Sequence, residues 1–219
     1  MTAHQHAPHA HAEPDPDLSP TEYWEQRYSG SGRIWSGKAN RTTAEIVSAL
    51  TPGHAIDLGC GEGGDVLWLA EQGWQAHGLD ISATAVDRAR EEAAARGLTT
   101  ATFDAVDLDA WEPEPASVDL VTASFFQSDV ALDRTAILRR AMTALRAGGH
   151  LVLVSHAAPP SWAADHPARM VDVQEEAAQL AQPEAEWEVV AAENRPRPAV
   201  APDGSAGEHL DAVLVLRRR

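Results

Sequence analysis

Downstream of Gly53 the chain alternates short apolar runs with longer stretches whose apolar residues recur every three or four positions. The first pattern predicts strands and the second amphipathic helices. Ala55-Ile56-Asp57-Leu58 predicts a strand, then come a glycine loop and a helix from Asp65 to Glu71. Gln75 to Leu79 predicts the next strand, and an alanine-rich helix from Ala83 to Arg96 stops at Gly97. Thr99 to Phe103 and Val118 to Ser124 read as strands. Ile137, Leu138, Ala141, Met142 and Leu145 fall on one helix face, which Gly148-Gly149 is expected to terminate. His150 to Val154 reads as a strand buried on both faces. A proline-rich loop, a helix around Val171 to Leu180, and strands Glu186 to Ala192 and Leu210 to Leu216 follow, the last two joined through Pro202-Asp203-Gly204. Upstream, Ser19-Pro20-Thr21-Glu22 suits a helix start that ends at Ser29-Gly30-Ser31-Gly32, and a second helix is expected from Arg41 to Leu50.

This order predicts an α/β fold: a Rossmann-like, doubly wound, mostly parallel seven-stranded sheet with one antiparallel strand and helices on both faces. Residues 1–20 stand apart, with His4, His6, His9 and His11, four prolines and no aromatic residue, and are expected to form a disordered arm. A single domain is expected over 21–219: cap helices over 21–52, a ligand-binding core over 53–155, and a substrate-side loop with the last strands over 156–219. No internal repeat is evident.

Composition narrows the function. The 219 residues carry a net charge of −16, which disfavours phosphate backbones and anionic lipid, so neither nucleic acid nor membrane is expected as a partner. One cysteine, Cys60, rules out an intramolecular disulfide framework and a cysteine-rich zinc site, and no metal site is expected. The N-terminus lacks a secretory pattern, so a cytoplasmic protein is expected. A monomer is expected too, because no long apolar face remains once the sheet is covered.

The chemistry concentrates in Ile56-Asp57-Leu58-Gly59-Cys60-Gly61-Glu62-Gly63-Gly64-Asp65. Gly59, Gly61 and Gly64 satisfy the G-x-G-x-x-G spacing of a dinucleotide loop, a weak signal by itself. Two acids change the reading. Asp57 lies just before the loop, where pyrophosphate would be repelled and a cation tolerated. Asp80 closes the second strand, where an acid accepts hydrogen bonds from ribose hydroxyls. A nucleoside carrying positive charge, such as S-adenosylmethionine, fits both.

The segment Asp57 to Gly63 resembles the first motif of class I S-adenosylmethionine-dependent methyltransferases. Asp65-Val66-Leu67-Trp68-Leu69-Ala70-Glu71-Gln72-Gly73 and the upstream Tyr23-Trp24-Glu25-Gln26-Arg27-Tyr28 resemble the thiopurine S-methyltransferase branch, which includes tellurite-resistance methyltransferases. Asp133-Arg134 is similar to a pair in that branch, whereas the glycine-rich loop departs from its sparser one. The resemblance implies S-adenosylmethionine as cofactor and a small-molecule methyl acceptor. It implies that Gly59 and Gly61 line the methionine and ribose, that Asp57 holds the loop, and that Asp80 binds the ribose with Ile81 against adenine. Asp107 and Leu108 would meet the adenine edge, with Asp104 as a competitor. Trp24 would cover the cofactor, and Arg27 or Arg134 would meet its carboxylate.

Trp35, Phe125, Phe126 and Trp162 are expected to build the acceptor pocket. His156, after the fifth strand, is the candidate general base for an oxygen or nitrogen acceptor, with strand capping as its plain alternative. Soft sulfur, selenium or tellurium nucleophiles need no base. Cys60 reads as a small residue in a tight turn, and Trp68 and Trp74 as core. Two other functions remain open at this point: an NAD(P)-dependent oxidoreductase using the same glycines, and a non-catalytic S-adenosylmethionine-binding protein.

Overall fold

The computed structural model describes residues 18–30, 32–163 and 170–219. The arm expected over 1–20 lies almost wholly outside the described residues.

Helix α1 (Pro20–Tyr28) opens on a capping box. The Ser19 hydroxyl oxygen accepts from Glu22 N–H, and the Glu22 carboxylate accepts from Ser19 N–H at 2.9 Å. Helix α2 (Arg41–Val47) is capped by Asn40 and ends before the expected Leu50, where Ser48 Oγ donates back to Ala44 O.

Seven strands follow: β1 (His54–Leu58), β2 (Gln75–Asp80), β3 (Ala101–Ala105), β4 (Val118–Ser124), β5 (Leu145–Ala158), β6 (Trp187–Val200) and β7 (Ala206–Arg218). Between them lie α3 (Gly64–Glu71), α4 (Ala83–Arg96), α5 (Arg134–Met142) and α6 (Val173–Leu180). The sheet order is β3-β2-β1-β4-β5-β7-β6. β7 pairs antiparallel with both β5 and β6, so it alone runs against the rest, as the pattern predicts. The chain reverses its winding at β1, which pairs parallel with β2 on one side and β4 on the other. In such sheets ligands bind beyond the strands' C-terminal ends at this reversal.

Consecutive strand residues supply the two faces, as the period of two requires. Val121, Leu153 and Leu214 join the core that includes α5 and α6, while Leu120, Val152 and Val213 join the one that includes α3 and α4. Trp74 is buried in the second core, and Trp68 packs against it.

One expected boundary is wrong. Leu145 is not on the helix, and Gly148-Gly149 does not end it. α5 stops at Met142, and Leu145 already pairs with Val118 in the sheet. The register then shifts between Val118 and Leu120, with Gly148 at φ +84° inside the irregularity. A Cβ on Gly149 would sit 3.0 Å from Arg146 O and 3.1 Å from Asp119 O, so these glycines serve a bulge. β3 also begins later than expected, after a turn in which Ala101 N–H donates to Leu98 O. The final hairpin is longer than predicted because β6 continues through Pro196 and Pro198, which its outer position tolerates.

Candidate functional site

The glycine loop sits at the winding reversal and is propped from below. Asp80, buried at the end of β2, accepts from Gly61 N–H through Oδ2 at 2.8 Å and from Ser82 N–H through Oδ1 at 2.9 Å. Cys60 N–H donates to Leu79 O. Gly59 has φ +65°, and a Cβ there would lie 2.6 Å from the Phe126 ring. Gly61 has φ +51°, and its Cβ would meet Tyr28 Oη at 2.9 Å and the Trp35 ring at 3.4 Å. Both positions therefore need glycine for backbone and space together.

Besides Glu62 of the loop itself, three aspartates are buried around it: Asp57, Asp65 and Asp80. Asp57 accepts from the Thr122 hydroxyl at 2.6 Å, and Asp65 from Asn40 N–H at 2.5 Å. Burial pushes all three above the usual carboxylate range, Asp57 furthest, with the charge of Asp65 adding to it. The buried Cys60 thiol is also pushed up, first by burial and then by Asp80, which suits a packing residue and not a thiolate.

The segment after α1 folds over this loop through contacts the sequence did not disclose. Glu62, 2% exposed, accepts from Ile34 N–H at 3.0 Å and Trp35 N–H at 3.1 Å and pairs with Arg88 at 3.0 Å. Arg88 also donates to the carbonyls of Tyr28, Gly30 and Gly32. Trp35 Nε1 donates to Tyr28 Oη at 2.9 Å. Trp24 packs beside Tyr28, with rings 6.1 Å apart, and the Arg27 guanidinium carbon lies 5.7 Å from the Trp24 ring centre. Arg27 Nε is buried without a hydrogen-bond partner among the described residues.

On the other side stands a second group of rings. Phe126 touches Gly59, while its neighbour Phe125, at φ +55°, stacks on His156 at 4.2 Å and 17°. His209 lies 5.9 Å from His156, and Trp162 meets His209 edge-on at 5.0 Å. Trp162 also covers Gly207 of β7. Arg197 lies over Phe125 at 5.6 Å and holds the fully buried Asp211 at 2.7 and 3.2 Å.

Most sequence-derived candidates gather here, with three changes. Arg134 is spent on the protein itself: it donates to Phe126 O at 2.8 Å and Ser155 Oγ at 2.8 Å and pairs with Glu176, a tie between the segment after β4, β5 and α6. Burial lowers its guanidinium to about 10. Trp35 closes on Gly61 and so belongs to the glycine-loop side, not to the ring wall where the acceptor was expected. Leu108 is buried in the core, its side chain packed inside and not lining an open face. Asp107 is exposed beyond β3 and accepts from Asp109 N–H, while its competitor Asp104 is taken by Arg90 and His77. Ile81 is half-buried after Asp80. The ring of His156 is stacked on Phe125, and the His156 backbone N–H donates to Gln127 Oε1 at 2.8 Å.

Comparison with known proteins accords with this geometry. Residues 55–149 match the family described as methyltransferase domain. The chain is 38% identical over 142 residues to ribosomal RNA small subunit methyltransferase C of Alcanivorax borkumensis, covering 60% of this chain and 43% of that protein. It is 29% identical over 133 residues to probable thiol methyltransferase 2 of Arabidopsis thaliana, covering 59% of each. The chain thus spans less than two thirds of these relatives' lengths. Among solved structures, one described as "Conversion of a Disulfide Bond into a Thioacetal Group during Echinomycin Biosynthesis" superposes with TM-score 0.69 at 25% identity, over 90% of this chain and 92% of that one. TehB from Haemophilus influenzae superposes with TM-score 0.65 at 15% identity, over 91% and 67%, a likeness of fold. Residues 55–149 thus match a methyltransferase domain, set in a fold shared with solved S-adenosylmethionine-dependent methyltransferases.

Proposed function

We propose that the whole protein transfers a methyl group from S-adenosylmethionine to a small-molecule sulfur nucleophile. The observation that carries the cofactor is the set of buried acids, Asp57, Asp65 and Asp80, around a glycine loop that lacks any cation of its own. That field opposes pyrophosphate and suits a sulfonium and an ammonium, which sets the nicotinamide reading aside. The unpartnered Arg27 Nε beside Trp24 suits the carboxylate at the ligand's other end. The site fits the cofactor.

When bound, the cofactor supplies an electrophilic methyl on a sulfonium. The chain's own work is positioning and drying. Gly59 and Gly61 offer backbone without Cβ, and Asp80 keeps the loop in place while retaining lone pairs for hydroxyl donors. Trp24, Tyr28 and Trp35 close over the loop and exclude water. Phe126 forms the wall between the loop and the acceptor side. A thiolate needs no base in the transfer, so His156 is assigned a supporting place in the wall.

The sulfur assignment is supported by the ring wall, by the thiol methyltransferase relative and by the fold neighbour concerned with sulfur chemistry. The resemblance of Tyr23–Tyr28 to the thiopurine and tellurite branch points the same way. The net charge of −16 favours a small acceptor over RNA.

Calorimetry with S-adenosylmethionine, S-adenosylhomocysteine, NAD and NADP tests the cofactor. Binding of the first two and loss on Asp80→Ala are expected; binding of the nicotinamides alone would overturn the reading. Turnover of aliphatic and aromatic thiols, followed by S-adenosylhomocysteine release, then separates an enzyme from a non-catalytic binder.

A further inference from the structure

Two carboxyl groups of the glycine segment hold the chain that covers it, one at each end of the strap from Ile34 to Asn40. At the near end Glu62 accepts from the backbone N–H groups of Ile34 and Trp35. At the far end Asp65, in the first turn of α3, accepts from Asn40 N–H at 2.5 Å. Between these anchors the strap lies on the glycines. A Cβ on Gly64 would sit 2.8 Å from Lys38 O, just as one on Gly61 would meet the Trp35 ring. The Asn40 side chain in turn caps α2, accepting from Thr43 N–H at 3.1 Å, so the far anchor also fixes where that helix starts.

The two anchors differ in charge. Glu62 has its own cation, Arg88 at 3.0 Å. Asp65 is 8% exposed and pairs with no cation among the described residues. Its other partner is the Ser124 hydroxyl, which lies 2.7 Å from Thr43 Oγ1. The titratable groups that feel its charge are Asp57 of β1 and the Cys60 thiol of the loop, both pushed up by it. Burial raises Asp65 itself, against the hydrogen bonds from Ser124 and Asn40. A buried carboxyl without a counter-ion is readily neutralised, and a cation beside it restores the charge. The ionised form is also the stronger acceptor, so the bond from Asn40 N–H tightens with the charge.

We propose that Asp65 is a positioning residue: a positively charged ligand on the glycine loop ionises it, and the carboxylate then fixes the strap from Ser36 to Asn40 on the loop. This rests on the cofactor reading above and ties the cofactor's charge to one anchor of the cover. The Glu62 anchor, with its own cation, stands with or without ligand. The proton that Asp65 gives up passes to solvent.

The test compares S-adenosylmethionine with methylthioadenosine, which keeps the nucleoside and the sulfur but carries neither positive charge. In the parent protein, hydrogen exchange over residues 36–43 should slow about threefold more with saturating S-adenosylmethionine than with saturating methylthioadenosine. Asp65→Asn keeps an oxygen for Asn40 N–H and offers an NH2 group to Ser124 Oγ, so the charge alone is lost. It should weaken S-adenosylmethionine about tenfold, leave methylthioadenosine within about twofold, and abolish the extra protection. Proton release on binding, read from calorimetric heats in buffers of different ionisation enthalpy, should shrink in this variant. Ser124→Ala removes a donor to the carboxylate and should move all three readouts the same way by less. Equal protection by the two nucleosides in the parent overturns the proposal, and so does an Asp65→Asn protein that keeps the parental preference for S-adenosylmethionine. A parent protein that binds neither nucleoside overturns the cofactor reading itself, and the proposal falls with it.

Discussion

Glu62 and Arg88, 3.0 Å apart, hold the segment from Tyr28 to Trp35 onto the glycine loop. The carboxylate comes from the loop and the guanidinium from α4, yet both spend their hydrogen bonds on the backbone of the covering segment. Arg88→Leu would strand a buried carboxylate that keeps only its two N–H donors, a loss of about 1–3 kcal/mol. We expect hydrogen exchange to rise over residues 28–38, and S-adenosylhomocysteine affinity to fall about tenfold or more. Unchanged exchange there would show that the cover stands without the pair.

Gly59→Ala should fail for two separable reasons. A positive φ in a residue with Cβ costs about 1 kcal/mol or more, and the new methyl would meet Phe126. Adding Phe126→Ala removes the clash and leaves the strain. We expect the single variant to lose cofactor binding and the double variant to recover part of the stability lost, as read by chemical denaturation.

Arg134 is a test of the corrected assignment. Arg134→Met removes the partner of Glu176 and leaves Phe126 O and Ser155 Oγ without their donor. Stability should fall by about 3–5 kcal/mol, while S-adenosylhomocysteine affinity in the folded protein stays within twofold. A selective loss of affinity at parental stability would return Arg134 to the cofactor.

The buried acids set a pH dependence with a definite sign. Asp57, Asp65 and Asp80 all have folded values raised above the ordinary 3.8. The folded state therefore holds protons that the unfolded chain has released in the window above 3.8. Their contribution to stability is complete below that window and is lost as pH rises through the folded values. The unliganded protein should lose stability from mildly acidic toward neutral pH, and Asp57→Asn should flatten the slope. A cationic ligand favours the ionised acids, so binding should release protons, detectable as calorimetric heats that vary with buffer ionisation enthalpy.

Sequence pattern reached the parts of this protein whose cause is local. The alanine-rich run and its stop at Gly97 give α4 from Ala83 to Arg96 as predicted, and the structure adds Ser82 as its N-cap. The glycine loop was legible because close backbone approach requires that spelling. Leu145 was misplaced because it continues the apolar rhythm of α5, and only its pairing with Val118 shows that the rhythm has passed to a strand. The Glu62–Arg88 pair, the Arg134 tie and His209 were out of reach for another reason. Each depends on residues far apart in the chain that the sheet order alone brings together. An isolated histidine in a hairpin carries no pattern until Trp162 and His156 are seen beside it.

Phe125 adopts a backbone conformation in which glycine would rest without strain. An aromatic residue held there stores about 1–3 kcal/mol. The chain keeps the ring all the same, so the ring's contacts with His156 and Arg197 must return at least that much to the native state. Phe125→Gly would relax the backbone there and leave the His156 ring and the Arg197 guanidinium without their aromatic partner. The strained phenylalanine thus acts as a fixed spacer between the glycine loop, which Phe126 reaches, and the rings on the hairpin side.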